Sequence, residues 1–313
     1  MISITGDNSK LYMNYEKILP SAQGMAIYDG MAFILYHTGV CGIYDLVGKG
    51  DKAISSFRLG SFNDGHPSSE HINHSNQCMF SAEHYKGNPL PLLYVTTGNS
   101  GGQDENGYYY RCAVEDIRLS KTADGKLSAK SRLIQTISYS NTGIEDSPWQ
   151  TPCWGCPAWF VDSEEGCVYI FSSRYRTTEE FLEYYSYNNY IITKFTKPPL
   201  LEGSFVTLTA NDITDQFELP FNILFTQGGT LKCKKIFYTF GLGDSRYPVG
   251  IRIFDLEKKC ICAEIDLSHS ALASEEIECC AFYNGELLYN TNATPGSIYS
   301  LGIRNSELLL KAQ

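Results

Sequence analysis

Five of the six histidines in this chain, His37, His66, His71, His74 and His84, fall in its first third. The stretch SFNDGHPSSEHINHSN (61–76) sets Asp64, Glu70 and Asn76 beside His66, His71 and His74. Imidazole and carboxylate groups brought together can carry out general acid–base chemistry or ligate a divalent ion. The spacing H-x4-H-x2-H matches no standard zinc pattern. The competing readings are a polar surface loop whose histidines cap turns, and a loop that touches a ligand without metal. No cofactor and no metal are therefore expected, with a divalent ion at His66, His71 and His74 as the alternative.

A second stretch, SNTGIEDSPWQTPCWGCPAW (140–159), holds Glu145, Asp146 and Gln150 together with all three tryptophans, Trp149, Trp154 and Trp159. Trp159 lies in a strand-like run and reads as core. Trp149 and Trp154 lie in a loop, where an indole plane can stack on the apolar face of a sugar ring or plug a channel mouth. Cys153 and Cys156 form C-x-x-C, but no βαβ context supports a redox site. Arg174-Tyr175-Arg176 and Arg246-Tyr247 offer guanidinium forks for a carboxylate or phosphate, with a neighbouring hydroxyl and ring. Pairing with Asp244, Glu179 or Glu180 is the competing use of those arginines.

Catalysis could also be assembled from these residues. Glycoside hydrolysis needs two carboxylates roughly 5–10 Å apart, for which Glu145 or Asp146 could face Asp64 or Asp244. A lyase would need a base, His74 or Tyr175, with Arg174 or a metal stabilising the enolate. His74, Glu145, Asp146 and Tyr175 are thus the catalytic candidates.

The elements that must position these groups are short strands. QGMAIYDGMAFILYHTGVCGIYDL (23–46) reads as three strands punctuated by Gly and Asp, and Ala53–Leu59 completes a four-stranded meander. The unit recurs from Gln227-Gly228 and, clipped, from Cys279. Two further units are expected at 77–140 and 157–219, the latter with Phe205–Leu208 as its fourth strand and an outer extension through Phe217. Repetition at this period signals a repeat-built fold. The last unit lacks an outer strand, and Ile2–Thr5 and Leu11–Tyr15 lie outside any unit. An N-terminal strand is therefore expected to close the ring, abolishing exposed edges.

The Gln-Gly openings (Gln23-Gly24, Gln227-Gly228) and the strand ends Tyr44-Asp45-Leu46 and Phe254-Asp255-Leu256 resemble those of the β-propeller superfamily, its five-bladed members in particular. The likeness spans the whole chain. It is similar to bacterial propellers of unassigned function and, more remotely, to phage receptor-binding and teichoic-acid-associated propellers. What the resemblance implies is an all-β fold in one domain over 1–313: five four-stranded antiparallel blades, with six as the alternative count. Loops entering each innermost strand then share a face with loops joining second and third strands. That face gathers Gln23, His37, His66, His71, His74, Trp149, Gln150, Trp154, Arg174, Tyr175, Arg176, Gln227, Arg246 and Tyr247 as the expected ligand-binding set. The expected function is binding of a carbohydrate, an anionic one included, or of a protein partner. A glycoside hydrolase or polysaccharide lyase on the same face is the alternative, and a scaffold with a partner on its rim is a third reading. Fold alone does not choose among them.

Composition narrows the partners. A net charge of -10, with dispersed Lys and Arg, argues against nucleic acid. No run approaches the roughly 20 apolar residues of a membrane span. MISITGDNSKLYMNYEKIL lacks the basic and apolar regions of a secretory signal, which predicts a cytoplasmic location. Eleven cysteines without framework spacing read as small buried hydrophobes in a reducing compartment.

Overall fold

Two-residue corners with both residues in the left-handed region, Asp29-Gly30, Cys233-Lys234 and Asn284-Gly285, join strands in tight hairpins. Such turns match the right-handed twist of the strands they connect. The computed structural model describes residues 1–62, 74–98, 111–149, 151–174, 189–220, 225–245, 247–268 and 274–311. Its strands in chain order begin with β1 (Ile2–Thr5) and β2 (Lys10–Tyr15). Blade one follows as β3 (Ala22–Tyr28), β4 (Met31–Tyr36), β5 (Val40–Asp45) and β6 (Ser55–Arg58). Blade two is β7 (His74–His84), β8 (Pro91–Gly98), β9 (Arg111–Lys121) and β10 (Leu127–Tyr139). Blade three is β11 (Trp154–Asp162), β12 (Cys167–Ser173) and β13 (Tyr190–Thr196), then, after β14 (Ser204–Leu208), β15 (Ile213–Leu219). Blade four is β16 (Thr226–Lys232), β17 (Lys235–Phe240), β18 (Gly250–Asp255) and β19 (Cys260–Asp266). Blade five is β20 (Ile277–Tyr283), β21 (Glu286–Thr291) and β22 (Gly296–Arg304), with the short helix α1 (Asn305–Lys311) behind it.

The chain folds as a five-bladed β-propeller, each sheet built on four antiparallel strands. The inner strands β3, β7, β11, β16 and β20 touch in that order, and β20 returns to β3 to close the ring. Closure comes from the N-terminus: β2 pairs antiparallel with β22 and supplies the outer strand that blade five lacks. β1 goes elsewhere and adds a parallel fifth strand to β19 of blade four.

One strand assignment differs from the sequence reading. Ser204–Leu208 does not complete blade three; it lies parallel to β10 as a fifth strand of blade two, with Phe205 opposite Thr136. The cause is local. Pro198-Pro199 interrupts the hairpin after β13, and proline cannot donate to a ladder. Gln135 Nε2 then donates to Pro199 O at 2.8 Å and to Ser204 Oγ at 3.0 Å, drawing the chain back to blade two. Blade three takes β15 as its outer strand instead.

Aromatic packing fixes one blade against the next. Trp159 is fully buried, as its place in a strand predicts. Phe160, Phe171, Tyr190, Tyr238 and Phe254 form an edge-to-face cluster between blades three and four, with centroids 4.8 to 6.5 Å apart. Arg252 of blade four donates to the Tyr190 hydroxyl of blade three at 2.9 Å. Cys41, Cys78, Cys112, Cys153, Cys167, Cys279 and Cys280 are buried, and the described cysteines are free thiols. Held this tightly, the five inner strands present their first residues in a fixed ring.

Candidate functional site: the entry mouth of the central channel

Every inner strand carries an irregularity at the same height. Pairing with the second strand slips between Ala22 and Met25 in β3, His74 and Gln77 in β7, Trp154 and Ala158 in β11, Thr226 and Gly229 in β16, and Ile277 and Cys279 in β20. Each slip inserts extra backbone on the inner strand at the end where the chain enters it. Such bulges interrupt pairing and re-aim side chains, and they recur beside functional sites. Here they put Gln23, Gln227 and Glu278 at equivalent positions around one opening. Gly229 shows how close the backbones come: a Cβ there would lie 2.1 Å from Phe237 O.

The groups at this mouth are polar and deep. Gln23 is buried, its Nε2 donating to Ala22 O at 3.1 Å while its Oε1 has no partner among the described residues. Gln77 is fully buried; its Nε2 donates to Gly229 O at 3.3 Å and its Oε1 accepts from Thr96 Oγ1 at 3.0 Å. Gln227, half-buried, donates to Glu276 Oε1 at 2.6 Å. Glu278 is 1% exposed, and neither of its carboxyl oxygens has a hydrogen-bond partner among the described residues. Burial pushes its carboxyl well above the usual carboxylate range; the charge of Glu276 adds to the rise, and Lys17 opposes it. Burial likewise raises Glu276, against a hydrogen bond from Asn292. Further along the same inner strands lies a 140 Å³ cavity lined by Met25, Met79, Phe80, Thr230, Leu231, Lys232 and Phe282 among others.

A pH dependence follows from Glu278. An acid whose folded pKa lies above its unfolded value contributes stability that is complete below the unfolded pKa and lost as pH rises through the folded one. In buffer free of divalent ions, Glu278→Gln is expected to out-stabilise the wild type by a margin that grows as pH rises above the ordinary glutamate range. Urea midpoints measured from pH 4 to pH 8 test this, and parallel curves for the two proteins would refute it.

Other residues singled out from the sequence fall in several places. His37 is half-buried beside the mouth, its backbone N–H donating to Ser21 O at 3.2 Å. The backbones of His74 and Trp154 open β7 and β11 at their bulges. His84 ends the same eleven-residue strand that His74 begins, so the two positions lie at opposite ends of β7; the His84 ring meets Asn88 O at 3.0 Å. Tyr247 packs its ring edge-on against Phe225, with centroids 4.4 Å apart, and its N–H donates to exposed Asp244. Trp149 is tied outward: its indole N–H donates to Ile213 O, the first residue of β15, at 3.1 Å, and its ring packs on the core. Arg174 pairs with Glu218 of β15, which also accepts from Asn189 at 2.5 Å. Burial pushes Glu218 up, but these hydrogen bonds outweigh it and leave the carboxyl below its usual range. Glu145 and Asp146 are exposed in a single 3-10 turn. Cys153 is buried with its thiol raised by burial, against a hydrogen bond from Thr193, which does not suit a redox nucleophile. His66, His71, Gln150, Tyr175, Arg176, Arg246, Asp64, Glu70 and most of the 177–190 stretch lie outside the described residues.

Glu278 was not among the candidates drawn from the sequence, although a signal for it exists. Aligning Tyr28-Asp29-Gly30 with Tyr283-Asn284-Gly285 sets Glu278 at the place of Gln23.

No family model matches the chain. No curated protein matches it either. Among solved structures it is similar to the glutaminyl cyclase of Myxococcus xanthus, at 10% identity over 96% of each chain and a TM-score of 0.51. That likeness is one of fold. A glucose dehydrogenase is similar at 11% identity over 94% of this chain and 99% of that one, with a TM-score of 0.48. A tail fibre of a Staphylococcus aureus phage is similar at 11% identity over 93% of this chain and 51% of the fibre, with a TM-score of 0.45. No helix among the described residues is long and apolar enough to cross a membrane.

Proposed function

We propose that this propeller is a binding protein whose ligand is a carbohydrate, seated at the entry mouth of the channel. The observation that carries the reading is the ring of bulges, which concentrates amide and carboxyl groups at one opening and leaves the oxygens of Gln23 and Glu278 without partners. Sugar hydroxyls both donate and accept, so they can satisfy such groups, whereas an apolar ligand would leave them buried and unpaired. Glu275, Glu276 and Glu278 stand close together on the chain at this opening, which favours a neutral or amino sugar over an anionic one. His37 and Tyr247 lie on the same face and supply further contacts at the rim.

Melting temperatures recorded with neutral, amino and acidic oligosaccharides test the proposal, because a ligand of the native state must raise apparent stability. One sugar class is expected to shift the transition. Gln227→Ala is expected to weaken that sugar about tenfold, the cost of roughly one hydrogen bond to a charged or polar partner. Silence across the panel, or a shift that Gln227→Ala leaves intact, would sink the idea.

A second reading, a carbohydrate-active enzyme, draws on the raised carboxyl of Glu278 beside that of Glu276. A buried acid whose carboxyl is raised by its surroundings is what a general acid requires. Turnover of a chromogenic glycoside that disappears in Glu278→Gln would move the assignment from binding to hydrolysis.

A further inference from the structure

Four oxygens near the seam between blades five and one are buried and have no hydrogen-bond partner among the described residues: both of Glu278, Oε1 of Gln23 and Oδ1 of Asn290. Their orientation is not arbitrary. The amide nitrogen of Gln23 is engaged by Ala22 O at 3.1 Å, and that of Asn290 by Gln23 O at 2.8 Å. In each amide the nitrogen faces a backbone carbonyl, which turns the oxygen away from it. Gln23 and Glu278 hold equivalent bulge positions on adjacent inner strands, and Asn290 sits opposite Cys279, the residue after Glu278. The strands meet closely here, with Cys279 Sγ 3.5 Å from Met25 O.

Once ionised, Glu278 adds two acceptors to those of Gln23 and Asn290, more than the two protons of one water molecule can serve. A bound cation both serves them and offsets the burial that otherwise favours the protonated carboxyl. Lys17 acts on Glu278 through its charge, but its Nζ donates to Asn292 O at 3.1 Å and Asn292 Oδ1 at 3.4 Å and makes no hydrogen bond to the carboxyl. We propose that the entry mouth holds a hard metal cation of the calcium class, ligated by the Glu278 carboxylate and the side-chain oxygens of Gln23 and Asn290. An all-oxygen set with one carboxylate suits the flexible coordination of calcium better than the strict, water-rich octahedron of magnesium, and it offers no nitrogen or sulfur for zinc. It is a carboxyl-and-amide set, unlike a cluster of three or more His, Cys, Asp or Glu, of which there is none among the described residues. Water, or hydroxyls of a bound ligand, complete the shell. This site stands whether or not the ligand at the mouth is a sugar.

The test uses the full chain, treated with chelator and desalted, then titrated separately with CaCl₂, MgCl₂ and TbCl₃. Melting temperature is one readout. The other is terbium emission excited through tyrosine, because Tyr15 and Glu278 are close enough to interact electrostatically. Calcium is expected to raise the melting temperature more than magnesium does, and terbium to luminesce and be displaced by calcium. Glu278→Gln is expected to abolish both responses while melting no lower than the chelated wild type. Gln23→Leu, which removes one neutral ligand, is expected to weaken calcium by roughly tenfold or more. A wild type silent to all three ions overturns the proposal, as does a Glu278→Gln protein that responds like the wild type. The latter result would point instead to the histidines of the 61–76 stretch.

Discussion

Tyr15→Ala is expected to lose about 3–5 kcal/mol of stability, the range for deleting a large buried aromatic side chain. Tyr15 is the last residue of β2, the strand that closes the ring, and it is fully buried. Its ring lies 4.8 Å from that of Tyr44 in blade one, within a cluster that includes Met25, Leu288 and Ile298. It therefore joins blade five to blade one as well as completing a sheet. Opposite it stands Gly296, where a Cβ would come within 2.3 Å of the tyrosine ring, so the partner position has been kept bare for it. Leu11→Ala, in the same strand at a half-exposed position, serves as the control and should change stability by less than about 1 kcal/mol. Urea unfolding of the three proteins decides the matter. A loss below about 1 kcal/mol for Tyr15→Ala would mean that β2 is dispensable for closure.

Glu115→Ala carries the second large effect. Glu115 of β9 is fully buried and accepts from Gly60 N at 3.0 Å, Ser61 N at 2.8 Å and Ser131 Oγ at 2.7 Å. The first two donors belong to the short turn that leaves blade one, so a single carboxyl latches blade one to blade two. Its removal strands two backbone N–H groups in the interior. At roughly 1–3 kcal/mol for each unsatisfied buried group, the expected loss is about 3 kcal/mol. Glu115→Gln keeps one acceptor oxygen and should fall between wild type and alanine. Equal losses for Gln and Ala would show that volume, not the hydrogen bonds, is what the latch supplies.

The two blade junctions were not equally legible. Closure by an N-terminal strand could be read because Cys279–Tyr283, Gly285–Asn290 and Ser297–Leu301 leave a unit one strand short, while Leu11–Tyr15 lies unassigned at the other terminus. The Glu115 latch could not, because a glutamate inside an alternating strand gives no hint of the blade it will face. The site divides in the same way. Gln23 and Gln227 stand out in the sequence because each begins a repeat, and the structure places both at the mouth. Glu278 occupies the same position, but the sequence there reads Glu-Cys rather than Gln-Gly, and only the turn that follows reveals the register. Trp149 and Arg174 looked like ligand contacts by residue type, yet both are bound to β15 at the outer edge of their own blade.

Strand identity and turn positions were determined by the sequence itself, since alternation, left-handed corners and short apolar runs act within a few residues of one another. Tertiary structure alone decided where β1 and β14 docked, because parallel pairing joins segments with no turn between them to set the register. It also decided which polar groups went without partners. A hydrogen bond is made by atoms brought together from distant parts of the chain, so the buried oxygens of Glu278, Gln23 and Asn290 are placed at one seam only once blade five has closed against blade one.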